Sequence, residues 1–74
     1  MNHTTFNAAL ATFLQETGLT PTAVARLAQL SHSTVARYVA GQRDASTQNM
    51  AAICDALDIE ARYTPGQGWA LEEK

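Results

Sequence analysis

Cysteine occurs once in the 74 residues, at Cys54, so no internal disulfide can staple the chain and a cysteine-built zinc site is implausible. A reducing compartment suits such a sequence, and a cytoplasmic location is expected. Histidine occurs only at His3 and His32. No Ser/His/Asp set with a plausible shared pocket, no phosphate-cradling glycine loop and no zinc-ligand spacing is present, so catalysis, a metal, a cofactor and a small-molecule substrate are all unexpected. No apolar run approaches the roughly 20 residues of a membrane span, and the first residues lack the basic-then-apolar pattern of a leader. Positive charge is also scarce: Lys and Arg total 5 against 7 acidic residues, for a formal charge of −2. That balance argues against nucleic acid, whose binders usually carry a basic excess to displace counterions.

The charge is unevenly spread. Residues 20–46 hold Arg26, Arg37 and Arg43 against Asp44, a local sum of +2, whereas residues 47–74 hold five carboxylates against Arg62 and Lys74, a local sum of −3. So few cations imply few phosphate ion pairs, leaving backbone amides and base contacts to supply more of any affinity. The length allows one small domain, near the low end of what buries an adequate core unaided.

Apolar spacing predicts four helices. Thr5 caps the first, whose Phe6, Leu10, Phe13 and Leu14 share one face, and Gly18 ends it. His3 and the rest of residues 1–4 read as a frayed, solvated start. Thr20 followed by Pro21 starts a second helix with Val24, Leu27 and Ala28 inward. Only Gln29 and Leu30 then precede Ser31, which caps a third helix carrying Val35, Tyr38 and Val39 inward and ending at Gly41. A joint that short forces a steep crossing, as in helix-turn-helix units, and leaves the third helix protruding. Residues 42–45 form a loop, and Ser46 caps a fourth helix with Met50, Ile53, Cys54 and Leu57 inward. At that spacing Cys54 is a small packed residue rather than a reactive thiol.

On the third helix, Ser33, Ala36, Arg37 and Ala40 fall on the side opposite Val35, with His32 and Thr34 flanking them near its start. This set is small, hydrogen-bonding or cationic, unlike the Glu/Lys-rich face of a merely solvated helix, and it suits insertion into a groove.

The stretch VARLAQLSHSTVARYVAGQRDASTQNMAAICDAL resembles the phage-repressor and Cro-like helix-turn-helix family, also called XRE-like or lambda-repressor-like. The likeness rests on Ala25 in the first motif helix, on the Ser-x-Ser/Thr-x-Val run of residues 31–35, and on Gly41 followed by Arg43. With the flanking helices it extends over residues 5–59. The resemblance implies double-stranded DNA as the partner, with His32, Ser33, Thr34, Ala36 and Arg37 at base edges and Thr20, Thr22, Gln42, Arg43 and Gln48 at phosphates. Protonation of His32 near a phosphate or an acceptor base edge would raise affinity as pH falls. Three positions depart from the family pattern. Gln29 stands where glycine is common, Pro21 where relatives often place a glutamine that touches phosphate, and Ala45 where many have proline, so the loop of residues 42–45 is expected to be less rigid than theirs.

The expected fold is therefore all-α: a helix-turn-helix domain over residues 1–59, then a C-terminal extension over residues 60–74. Alternating residues around Thr64-Pro65-Gly66-Gln67, which is placed for a type II turn, predict a β-hairpin pairing residues 60–63 with residues 68–71. An isolated ribbon is marginal in water. It either packs on its own helices or exchanges contacts with a second copy. The rings of Tyr63 and Trp69 at a polar terminus, with Leu71, favour a homodimer, in which case the four helices would stay folded without residues 60–74.

Two functions compete. One is a sequence-specific DNA-binding regulator, a repressor acting as a homodimer on an inverted repeat. The other is a helix-turn-helix domain that docks a protein, antirepressor or antitoxin-like. The acidic total favours docking; the face around Arg37 and its +2 surroundings favour DNA, which is the expectation.

Overall fold

The computed structural model describes residues 3–74. In chain order it contains α1 (Phe6–Thr17), α2 (Pro21–Ala28), α3 (His32–Val39), α4 (Thr47–Leu57), β1 (Ile59–Thr64) and β2 (Gly68–Glu73). Every helix starts on a hydroxyl. Thr5, Thr20, Ser31 and Ser46 are extended at the N-cap, and their oxygens accept from the amides of Ala8, Ala23, Thr34 and Asn49. Each such cap is worth about 1 kcal/mol, which matters in helices as short as the 8 residues of α2 and of α3.

One core joins the elements. Phe6, Leu10, Phe13 and Leu14 of α1 meet Val24 and Ala25 of α2, Val35 and Tyr38 of α3, Ile53 and Cys54 of α4, and Ile59 at the start of β1. Full burial of aliphatic and aromatic side chains stabilises by about 1.5–3 kcal/mol apiece, so this cluster supplies the main favourable contribution to folding. One inward assignment needs correction: Leu27 is 56 % exposed. The buried arc of α2 is centred between Val24 and Ala25 because the helix packs against both α3 and α4, and at about 100° per residue Leu27 falls outside that arc.

The hairpin forms with longer strands than expected. Its antiparallel register runs from Ile59 opposite Glu73 to Thr64 opposite Gly68, with Tyr63 directly opposite Trp69. Gln67 N–H donates to Thr64 O (3.0 Å) and Gly66 has φ +87°, as a type II turn led by Pro65 requires.

The ribbon lies on its own helices. The Trp69 ring meets Phe6 edge-on, centroids 6.0 Å apart at 88°, and Trp69 and Leu71 are half-buried against the core. Removing residues 60–74 would therefore uncover Phe6. The expected frayed start is also corrected at Thr4; Met1 and Asn2 lie outside the described residues. Thr4 N–H donates to Gln67 O (3.2 Å), and its carbonyl accepts from Trp69 N–H (2.8 Å), making a parallel bridge to Gly68. Gly68 is buried with φ +94°, and a Cβ there would overlap the Thr4 backbone; only glycine permits this approach. Thr4 thereby occupies part of the outer edge of β2, while β1 pairs only with β2 among the described residues.

Candidate nucleic-acid interface

The two motif helices are joined by Gln29, Leu30 and the Ser31 cap. Gln29 takes the left-handed conformation, φ 58° and ψ 39°, in the place where glycine would be at ease. Its N–H donates to Arg26 O (3.4 Å), while Leu30 N–H donates to Ala25 O (2.9 Å), so the Ala25 and Arg26 carbonyls are satisfied despite the missing glycine. Ala25, buried beside this joint, carries only a methyl group, which lets α2 and α3 approach closely.

On α3 the buried and exposed sides divide as the helical wheel requires. Val35 and Tyr38 are buried, while His32, Ser33, Arg37 and Ala40 are exposed. Thr34 and Ala36 are half-buried. Thr34 is also engaged locally: its hydroxyl lies 2.6 Å from Ser31 Oγ, with Ser33 Oγ 3.4 Å from the same atom. The start of α3 thus carries a linked set of hydroxyls beside the exposed imidazole of His32. At its other end Gly41 has φ +74°, and Gly41 and Gln42 N–H donate to Tyr38 O (3.1 Å) and Arg37 O (2.9 Å). These two bonds close the helix as a Schellman motif.

Two asparagines that sequence patterning passes over fix this helix and the loop behind it. Asn49 Nδ2 donates to Tyr38 Oη at 2.7 Å, tying α3 to α4 through a phenol that would otherwise be buried and unpaired. Asn7, 6 % exposed, donates through Nδ2 to Arg43 O and accepts through Oδ1 from Ala45 N–H (3.4 Å). Ala45 is itself buried, so the loop of residues 42–45, expected to be loose without proline, is held by a side chain from α1. Only a polar residue on the apolar side of a predicted helix could have signalled this, and Asn7 lies beside Phe6 in sequence.

The remaining candidates lie on α2 and its cap, on the loop after α3 and on α4. Thr20 is the cap of α2, its oxygen already accepting from Ala23 N–H at 3.1 Å, and Thr22, Gln42, Arg43 and Gln48 are exposed. Ion pairing is confined to residues 58–74 among the described residues. Arg62 lies 3.9 Å from both Glu60 and Glu72, and Lys74 4.0 Å from Asp58. Arg26, Arg37 and Arg43 enter no ion pair among the described residues. The cations of residues 60–74 thus face internal carboxylates, whereas those of the helix-turn-helix have none within ion-pair distance among the described residues.

Of the expected dimer residues, Tyr63 is 49 % exposed, with its ring 5.4 Å from Trp69 at 60°, while Trp69 and Leu71 serve chiefly their own core. Two open clefts, of about 370 and 300 Å³, border Thr4 and Trp69, and no residue of α3 lines either. The exposed His32, Ser33 and Arg37 of α3 lie outside both clefts. No helix is long and apolar enough to cross a membrane among the described residues.

Comparison with known proteins agrees with this geometry. A family model described as a helix-turn-helix domain matches residues 7–62. No curated protein and no solved structure gives a significant match. The matched span covers α1 from its second residue, the other three helices and the start of β1, and the chain belongs to the helix-turn-helix domain family, an architecture of DNA-binding proteins.

Proposed function

We propose that this protein is a sequence-specific transcription regulator of the lambda-repressor-like, Cro-like kind, which represses as a homodimer bound to an inverted-repeat operator. The observation that carries the reading is α3, a capped helix whose exposed side bears His32, Ser33 and Arg37. In this reading Arg37 donates two bonds to a guanine, His32 and Ser33 approach base edges from the helix start, and Thr34 and Ala36 keep the approach close. Thr20, Thr22, Gln42, Arg43 and Gln48 hold the phosphates on either side. A cytoplasmic location accompanies this function.

The molecule measures 33 Å in its longest dimension, and the 8 residues of α3 are only about 12 Å long. One copy therefore reads a few base pairs, too little for a specific site. Two copies with their α3 helices about 34 Å apart would read successive major grooves on one side of the duplex. The outer edge of β1 and the exposed Tyr63 ring supply a surface on which a second hairpin can pair.

The test is fluorescence anisotropy with duplexes from the region upstream of the protein's own gene, across about 50–200 mM salt. Binding should discriminate one duplex from its scrambled counterpart, with a shallow salt dependence because cations are few. Equal affinity for both duplexes at every salt concentration would refute sequence-specific regulation. A second reading, docking of a partner protein in the manner of an antirepressor or antitoxin, is favoured by the exposure of Leu27 on α2 and by the net charge of −2. It predicts no duplex binding at any salt concentration.

A further inference from the structure

We infer that Asn7 is a positioning residue for phosphate binding, acting on the loop after α3 from the first turn of α1; the inference rests on the DNA-binding reading above. An asparagine so near a helix start ordinarily competes for its own backbone. Here Thr5 already caps α1, and both ends of the Asn7 amide are spent on a segment 36 and 38 residues further on. Donor and acceptor grip the chain on either side of Asp44, at Arg43 O and Ala45 N–H, much as a neighbouring strand would. The Ala45 amide would otherwise be a buried donor without a partner, a costly state.

The grip selects which groups face out. With the backbone held inward at residues 43 and 45, Ala45 is buried while Arg43 and Asp44 are exposed. Residues 40–42 are fixed in turn by the closing bonds to Ala36, Tyr38 and Arg37, and Ser46 caps α4 immediately beyond. Arg43, the loop's only cation, therefore projects from a backbone tied down on both sides. Preorganisation of this kind lowers the ordering cost of making a phosphate contact. Asn7 touches neither base nor phosphate in this account; it acts through Arg43.

The experiment combines amide exchange on the intact chain with duplex binding by variants. In the unmodified protein the Ala45 amide should exchange as slowly as core helical amides, and exchange at the rate of an open loop would overturn the clamp without any variant. Asn7→Ala, with Asn7→Ser as the milder substitution should the first fail to fold, should bind a random-sequence duplex about three- to tenfold more weakly, the range of one lost net hydrogen bond. Its salt dependence should flatten by up to about one phosphate contact, as for Arg43→Ala. Asn7→Ala in an Arg43→Ala background should cause no further weakening, whereas in an Arg37→Ala background the two losses should add. Preference for a specific duplex over its scrambled counterpart should not change. Wild-type affinity in the Asn7 variants, or losses that add to those of Arg43→Ala, would overturn the positioning role while leaving DNA binding intact. Absence of duplex binding by the unmodified chain would instead overturn the DNA-binding reading itself, and the role of Asn7 with it.

Discussion

Arg37 stands on the exposed side of α3 and enters no ion pair among the described residues, so its planar guanidinium can present two parallel donors to the O6 and N7 of a guanine. Arg37→Ala should cost about 1–3 kcal/mol, concentrated at one base pair; equal weakening on every sequence, in a duplex-variant titration, would show a phosphate contact instead. Cys54 tests the core. Burial pushes its thiol above the ordinary value, the neighbouring Asp55 adds to the rise, and Lys74 opposes it. The thiol of the unfolded chain therefore loses its proton first as pH rises. The stability tied to the neutral thiol is complete below the ordinary thiol range near about 8.5 and declines as pH climbs through that range toward the higher value of the folded state. Urea unfolding at neutral and alkaline pH should show this decline, and Cys54→Ala should flatten it; an unchanged slope in the variant would assign the decline to other groups. Residues of this type were legible in sequence because apolar periodicity marks position on a helix. Asn7 and Asn49 were not, since a polar residue joins a core only through partners that tertiary contact brings near, in one case 38 residues away.

At the scale of elements, the helix starts were readable from their hydroxyl caps and the joint between α2 and α3 from its brevity. Leu27 was misplaced because periodicity gives the width of an apolar stripe but not which neighbours it must face. The joint holds a removable cost. Gln29 is in the left-handed region, which disfavours a non-glycine residue by roughly 1–2 kcal/mol, and its side chain is exposed. Gln29→Gly should therefore stabilise the domain by up to about 1 kcal/mol once the greater freedom of the unfolded glycine is deducted. Denaturant unfolding measures this directly, and a loss of stability would mean that the glutamine side chain contributes a contact larger than the strain. The hairpin was legible from its turn and alternation. What it lies on was not, because nothing local in residues 60–74 announces that Trp69 meets Phe6.

For the whole molecule, the proposed reading orients it by charge: Arg62 and Lys74 face internal carboxylates while Arg26, Arg37 and Arg43 enter no ion pair among the described residues, so in that reading the end bearing α3 meets the polyanion and the ribbon does not. If the outer edge of β1 joins two copies, sedimentation should give a dimer at tens of micromolar and DNA protection should cover an inverted repeat with half-sites about one helical turn apart. A monomer at that concentration would move the second recognition unit to another protein. The bridge between Thr4 and Gly68 carries a different consequence. A ribosome delivers Phe6 early and its cover, Trp69, late, and Thr4 has no bonding partner until residues 67–69 have emerged. Between those two events the Phe6 ring lacks the edge-on cover that Trp69 gives it. That interval, rather than the finished protein, is where chaperone capture or clumping on crowded polysomes would find it most exposed.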